Sequence, residues 1–210
     1  DIPNGLIEFE KQDLLKLSKD KMRNISGTKI STVFQNPMST LNPVISIGRQ
    51  MIDIQYRDKA SKKIKKQRSI DMLTKVGIPD PDIQLNQYPH ELSGGMQQRV
   101  SIAMALQGGP SLLIADEPTT ALDATLEVQI LKLLKELQEE FGCSILFISH
   151  HLGVIAELCD HVVVMYAGQV VEQGSTHEIF NNPAHPYTVK LLECDPASIS
   201  KTQRLLPTIP

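Results

Sequence analysis

The chain has 210 residues, of which 41% are hydrophobic and 21% charged, with no Trp and a formal net charge of −3. This length allows one domain with a good core, or one domain plus a small subdomain. The charge gives no general case for nucleic-acid binding, and no apolar run approaches the roughly 20 residues that cross a bilayer, so we expect a soluble protein or one held to a membrane by partners.

The first 37 residues predict two strands and one helix. Residues 5–9 indicate a short strand, Ser18 a helix start and Gly27 the end of that helix. Residues 29–34 are a β-branched run typical of a strand, and Gln35 ends it before Asn36-Pro37. A glutamine in this position usually bonds the backbone of the loop. The phosphate-binding pattern G-x-x-x-x-G-K-[ST] occurs nowhere in the sequence.

Residues 38 to about 108 have a mostly helical pattern, interrupted by prolines. One predicted helix has an apolar side made of Ile70, Leu73, Val76 and Ile78. A basic cluster lies beside and along the same helix and is most simply a solvated face; its members are Lys59, Lys62, Lys63, Lys65, Lys66 and Arg68.

A Ser-Gly-Gly turn opens the next predicted helix. Ser93 can cap this helix, and Gly94 and Gly95 lack Cβ atoms where a ligand would come close to the backbone. Such a helix start presents unpaired N–H groups to a phosphate. Taken alone, the turn is more typical of an ordinary junction between a loop and a helix.

Two acids follow a buried strand. Residues 112–115 are apolar, and Asp116 and Glu117 stand at the carboxyl end of this predicted strand, where parallel sheets place their ligands. Two acids there are costly unless they bind something, and Mg²⁺ with an attacking water would satisfy both. Capping of the next helix is the alternative, and it explains one carboxylate better than two.

The remaining pattern alternates helices and strands. Helix 125–141 is predicted to bury Val128, Leu131, Leu134 and Leu137, and Gly142 to end it. Residues 143–149 predict a buried strand with His150 at its end, and an isolated histidine there is usually structural. A hairpin over 162–174 and two helices near residues 176–180 and after 183–188 close the chain. The widely spaced cysteines predict reduced thiols, with neither a disulfide nor a zinc site; they are Cys143, Cys159 and Cys194.

Three segments carry a family resemblance. LSGGMQQR, LLIADEP and ALD, in this order and at this spacing, resemble the signature motif, Walker B motif and D-loop of ATP-binding-cassette ATPases. IADEPTTALD, with FQNPMSTLNP upstream and HPYT downstream, resembles the D-type ATPase subunit of dipeptide and oligopeptide importers, a group that includes nickel importers.

The resemblance implies a fold and its division. We expect an α/β P-loop NTPase domain of the cassette type that lacks its N-terminal strands and carries an inserted helical subdomain. Residues 1–37 would be the remaining core up to the Q-loop, and residues 38–110 the helical subdomain with the signature. Residues 111–178 would be the core with Walker B, D-loop and H-loop, and residues 179–210 a C-terminal extension of the oligopeptide importer type.

The resemblance also implies roles for individual residues. Glu117 would be the general base, His150 the switch histidine at the γ-phosphate, and Gln35 the Q-loop glutamine at Mg²⁺ or the attacking water. His151 stands where an acid is common in the family. The metal ligands would be Asp116 and Gln35, and the nucleotide-binding residues presented to the opposite subunit would be Ser93, Gly94, Gly95, Gln97 and Asp123.

The function implied is ATP binding and hydrolysis that energises a peptide importer, with ATP and Mg²⁺ as cofactors. Expected partners are a second cassette subunit (an F-type relative or a copy of the chain), two transmembrane permease subunits and, indirectly, an extracytoplasmic substrate-binding protein, at the cytoplasmic face of the membrane. The resemblance implies that the phosphate-binding loop precedes the first residue, so the 210-residue chain alone is expected to be inactive. The alternatives are a non-catalytic remnant, a nickel importer ATPase, and a soluble cassette ATPase acting on nucleic acid, against which FQNPMSTLNP and HPYT argue.

Overall fold

The computed structural model of the protein describes residues 5–120 and 122–194, without the side chains of Met38 and Ser39. The chain divides into two compact units, Asp1–Leu146 and Phe147–Pro210. Both units contain helices and strands, which confirms the predicted α/β class. Ala121 of the predicted D-loop and residues 195–210 of the predicted C-terminal extension lie outside the described residues. The predicted division at residues 37, 110 and 178 stays a prediction.

The first unit begins with a two-stranded antiparallel sheet, β1 (Glu8–Phe9) and β2 (Gln12–Asp13). Strand β1 is shorter than the strand predicted over residues 5–9. Helix α1 (Lys19–Ile25) starts as predicted after Ser18, whose hydroxyl accepts from the Lys21 N–H. It ends at Ile25, two residues before the predicted Gly27.

The sheet that positions the site contains β3 (Ile30–Val33), β4 (Leu112–Asp116) and β5 (Ser144–Ile148), in the order β3-β4-β5. Strands β3 and β4 run parallel, and Val33 pairs with Ala115. Val33, Leu113 and Ala115 are almost fully buried, as predicted for strands covered by helices. This pairing fixes which residues meet beyond the carboxyl ends of β3 and β4.

Strand β5 differs from the prediction of a buried strand. Leu146 is 51% exposed and Ile148 is 45% exposed. The apolar run of residues 143–149 identified a strand, but apolar composition does not say how many sides of a strand are covered. Within the described residues β5 is the last strand in its sheet, so it has a strand neighbour on one side only.

Six helices of the described chain lie between β3 and β4, counting one short 3₁₀ turn, and they confirm the predicted helical region. They are α2 (Pro37–Thr40), α3 (Ile47–Asp53), α4 (Lys62–Lys75), α5 (Pro81–Gln84), a 3₁₀ turn (Pro89–Glu91) and α6 (Gly94–Leu106). Helix α4 packs against α3 and α6, and α6 packs on β3. Leu73, Val76 and Ile78 are buried as predicted, whereas Ile70 is half-buried.

Helix α7 (Ala124–Phe141) corrects one core assignment. Val128 is 65% exposed, so its predicted burial is wrong, whereas Leu131, Leu134 and Leu137 are buried. Four residues spaced by three rotate around a helix by about 60° per step, because each residue turns it by about 100°. Val128 therefore lies outside the buried stripe. Gly142 ends the helix as predicted, with a φ of 61°.

The second unit contains α8 (Leu152–Leu158), strands β6 (His161–Tyr166) and β7 (Gln169–Ser175), α9 (Thr176–Asn181) and α10 (Pro186–Glu193). Strands β6 and β7 form the predicted antiparallel hairpin. Ala167 and Gly168 connect them with φ angles of 49° and 79°, as a two-residue hairpin turn requires. Val162, Val164 and Ile179 form the centre of its small core.

The described helices include none that is both long and apolar enough to cross a membrane. Cys143 is buried, and Cys159 and Cys194 are half-buried. The basic cluster along α4 is exposed apart from Lys65, which is half-buried.

Glu172 attaches the start of α10 to the hairpin. Its carboxylate accepts hydrogen bonds from the backbone N–H groups of Ala184, at 2.7 Å, and His185, at 3.1 Å. The pKa of Glu172 is lowered by the neighbouring Thr188 hydroxyl and by these two N–H groups. The Thr188 hydroxyl is near Glu172 but forms no hydrogen bond with acceptable geometry. We therefore assign the anchoring to the two N–H groups.

We expect Glu172→Gln to loosen this attachment at neutral pH, because an amide oxygen is a weaker acceptor than a carboxylate. The amide protons of Ala184 and His185 should exchange faster with solvent, as measured by hydrogen exchange with NMR detection. Since the pKa of Glu172 is depressed, its stabilisation is present above the ordinary value of 4.5 and is lost as the pH falls through the folded value. The difference between the two proteins should therefore shrink in acid.

The matched control is Glu157→Gln, which changes an exposed glutamate of α8 in the same unit. Equal exchange rates for the Glu172→Gln protein and this control would contradict the anchoring role.

Candidate active site

The pairing of β3 with β4 brings Gln35 to Glu117. Val33 pairs with Ala115, and each site residue stands two positions further along its own segment. The Gln35 Nε2 donates a hydrogen bond of 2.8 Å to Glu117 Oε2 across 82 residues of sequence. Two residues that the sequence placed separately at strand ends thus form one contact.

Glu117 has an unusual backbone conformation. Strand β4 ends at Asp116, and Glu117 follows with a φ of 44°, in the left-handed region. This conformation costs a residue with a side chain roughly 1–2 kcal/mol. Such strain persists only where the surroundings enforce it, and it is concentrated at functional sites.

Thr120 completes the surroundings of this carboxylate. Its Oγ1 donates a hydrogen bond of 2.9 Å to Glu117 Oε2, the oxygen that also accepts from Gln35. The Thr120 backbone N–H donates to the Glu117 carbonyl at 3.3 Å and closes a turn. No separate role was predicted for Thr120. Its position three residues after Glu117 could have indicated a hydrogen bond between the two side chains.

Asp116 is half-buried at the last position of β4, beside Glu117 in sequence. No cluster of three or more His, Cys, Asp or Glu among the described residues could hold a metal by itself. Mg²⁺ is usually bound by one or two protein carboxylates together with waters and substrate phosphates. The Asp116 carboxylate with the Gln35 amide therefore fits the donor set that Mg²⁺ takes at a phosphate site.

The segment after Glu117 is attached to α7 by two side chains. Thr119 Oγ1 donates to Glu127 Oε1 at 2.8 Å. Asp123 caps α7 by accepting from the Leu126 N–H at 2.9 Å. The residue predicted to contact a partner subunit thus also fixes the start of a long helix.

The two glycines that begin α6 have different surroundings. Ser93 caps α6 as predicted, accepting from the Met96 N–H at 3.3 Å. A Cβ added to Gly94 would meet no atom within 4 Å, whereas one added to Gly95 would lie 3.1 Å from both methyl carbons of Leu126. Gly94 therefore faces open space, while Gly95 allows α6 to approach α7.

Gln97 points into the protein. It is 5% exposed, and its Nε2 donates to the carbonyls of Pro89, at 2.8 Å, and Leu92, at 3.1 Å. In this arrangement Gln97 supports the loop that leads into α6. Its predicted contact with nucleotide stays a prediction and would require the side chain to leave these partners.

His150 belongs to the second unit and is exposed two residues after the end of β5. Its ring contacts the ring of His151 edge to face, with centroids 4.6 Å apart. The His151 N–H donates to Ser149 Oγ at 3.0 Å, and His151 precedes the first residue of α8. The choice of His150 over His151 as the switch histidine stays a prediction.

Comparison with known families gives two matches. The profile of the ABC transporter family matches residues 2–120, and that of the oligopeptide/dipeptide transporter C-terminal region matches residues 171–210.

The chain is also similar to individual curated proteins. It is 51% identical over 207 residues to the oligopeptide transport ATP-binding protein OppD of Bacillus subtilis, covering 98% of this chain and 58% of that protein. It is 48% identical over 200 residues to the dipeptide transport ATP-binding protein DppD of Escherichia coli, covering 95% of this chain and 61% of that protein. The chain thus spans about three fifths of the length of these relatives.

Solved structures confirm the predicted cassette fold. The ATP-binding cassette MJ0796, in a dimeric post-hydrolysis state bound to ADP and Pi, has a TM-score of 0.69 at 29% identity, covering 80% of this chain and 72% of that one. The protein cbiO1 of Clostridium perfringens, part of an ABC transporter complex, has a TM-score of 0.73 at 31% identity, covering 86% of this chain and 69% of that one.

The Gln35–Glu117 contact can be tested by a double-mutant cycle. We expect Gln35→Ala and Glu117→Ala to show a coupling of about 0.5–1.5 kcal/mol in urea unfolding, the usual net value of one hydrogen bond. Additive effects of the two changes would contradict the contact. As a control, Gln35→Ala should not couple to Glu139→Ala, since Glu139 is exposed on the far part of α7.

Proposed function

The chain belongs to the ABC transporter family, and we propose that its protein is the ATP-binding and ATP-hydrolysing subunit that energises an importer of dipeptides or oligopeptides. The observation that carries the proposal is the meeting of Gln35 and Glu117 beyond two neighbouring parallel strands, with Asp116 ending one of them. An amide and two carboxylates at this edge of a sheet are suited to a phosphate chain with Mg²⁺.

Each residue has a part in the proposed reaction. Bound Mg²⁺ would neutralise charge that develops on the phosphate oxygens. Asp116 and the amide oxygen of Gln35 would hold it, and Glu117 would take a proton from the attacking water. His150 would contact the γ-phosphate and help to hold that water.

The second half of the proposed nucleotide site would come from an opposite cassette subunit. The open space at Gly94 and the capped start of α6 support an approach of phosphate to this backbone. In the same way, this chain would offer its own surface to the nucleotide bound on the opposite subunit, through Ser93, Gly94, Gly95 and Gln97. Asp123 would meet that subunit. That subunit would be an F-type relative or a second copy of this chain.

The proposed assembly lies at the cytoplasmic face of a membrane. Two transmembrane permease subunits would bind the cassettes, and an extracytoplasmic binding protein would deliver the cargo. The peptide cargo is supported by the names of the relatives from B. subtilis and E. coli and by the match of residues 171–210. Those names do not favour a nickel importer.

Glu117→Gln tests the proposed base. In the full-length protein we expect ATP affinity to be retained and kcat to fall by about 10²-fold or more, because an amide cannot accept the proton. Binding would be measured by calorimetry and turnover by phosphate release in Mg²⁺. Glu139→Gln, an exposed change on α7, is the control and should keep the normal kcat. Unchanged hydrolysis in the Glu117→Gln protein would show that the assignment of the base is wrong.

The partners distinguish the importer from a soluble cassette ATPase that acts on nucleic acid. We expect affinity purification from membranes solubilised in mild detergent to recover permease subunits. The same preparation should contain no more nucleic acid, detected as material that nuclease digests, than a control purification with the tag alone. Recovery of nucleic acid without permeases would support the other class.

A further inference from the structure

We propose that Thr120 is a positioning residue for Glu117, whose hydroxyl sets the direction of the Glu117 carboxylate. The inference rests on the proposed function, in which Glu117 accepts a proton. Thr120 is not one of the predicted site residues.

The first observation is that one carboxylate oxygen accepts two side-chain donors. Gln35 Nε2 approaches Glu117 Oε2 from the end of β3, at 2.8 Å, and Thr120 Oγ1 approaches it from the segment after β4, at 2.9 Å. A glutamate side chain has three rotatable bonds, so one donor leaves much of its rotation available. Two donors from different segments restrict it to one direction.

The second observation is the attachment of Thr120 itself. The Thr120 N–H donates to the Glu117 carbonyl at 3.3 Å, so hydroxyl and carboxylate lie within one turn. The preceding residue, Thr119, is 5% exposed and is bonded to Glu127 of α7. The position of the Thr120 hydroxyl therefore follows the start of α7, which Asp123 caps.

The third observation separates positioning from a merely structural role. Thr120 is exposed, and its hydroxyl bonds a side chain instead of filling the core. The Thr119 hydroxyl, by contrast, is enclosed and joins two segments of backbone through Glu127. Removing the Thr120 hydroxyl should therefore affect the direction of Glu117 far more than the stability of the fold.

A general base acts only within hydrogen-bond reach of the proton that it takes, and small errors of position lower the rate steeply. Loss or displacement of the Thr120 hydroxyl would therefore redirect the Glu117 carboxylate.

The test compares Thr120→Ala and Thr120→Ser in the full-length protein with Mg²⁺ and ATP. We expect Thr120→Ala to lower kcat by roughly tenfold, part of the ~10²-fold or more that a general base contributes, with KM for ATP changed by less than about twofold. Thr120→Ser keeps the hydroxyl and should restore kcat to within about threefold of the unchanged protein.

Thr74→Ala is the matched control. The Thr74 hydroxyl is exposed on α4 and donates to the Ile70 carbonyl of the same helix, at 2.9 Å, so its loss should leave kcat unchanged. Thermal unfolding of all three variants should stay close to that of the unchanged protein. This comparison shows that a rate effect is not a loss of folded protein.

Three results would overturn the inference while leaving the proposed function intact: an unchanged kcat in Thr120→Ala, a rise in KM that accounts for the loss, or failure of Thr120→Ser to restore the rate. If the unchanged protein itself failed to hydrolyse ATP, the proposed function would be wrong and the inference with it.

Discussion

The pairing of β3 with β4 is the constraint on which the candidate site depends. Backbone hydrogen bonds between parallel strands fix their register, and a shift of one residue would turn every side chain of a strand to the opposite face. Here the register aligns Val33 with Ala115 and so sets Gln35 beside Glu117. The packing of α6 on β3 holds this strand from a second direction.

This rigid support explains how a strained residue is tolerated. Glu117 leaves the sheet in a left-handed conformation that its side chain disfavours. The packing of the buried strands offsets the cost of this one unfavourable backbone conformation. In this conformation the Glu117 carboxylate accepts hydrogen bonds from the Gln35 amide at the neighbouring strand end and from the Thr120 hydroxyl.

The other functional segments of the first unit are packed together as well. Gly95 lets the start of α6 approach Leu126 in the first turn of α7. Further along α6, Arg99 donates to the Val76 carbonyl at the end of α4, at 2.7 Å, and to the Gln129 side chain of α7, at 3.1 Å. A cation at a helix C-terminus is favourable, so Arg99 stabilises α4 while it joins three helices. The signature segment and the segment of Asp123 thus share their supports.

The sequence by itself determined the class of fold, the main helices and strands, and most positions of the candidate site. Local rules suffice for the helices and strands, because a capping serine, a β-branched run or an acid after an apolar strand acts within a few residues. The class of fold and the roles of the site residues followed from the resemblance to cassette ATPases. Only the tertiary structure decided that Gln35 and Thr120 share one oxygen of Glu117, that Gly94 faces open space while Gly95 packs on Leu126, and that Gln97 points inward. It also decided that Leu146, Ile148 and Val128 are exposed, against the apolar pattern. Contact and burial depend on which distant segments come together, and neither spacing nor composition along a single segment contains that information.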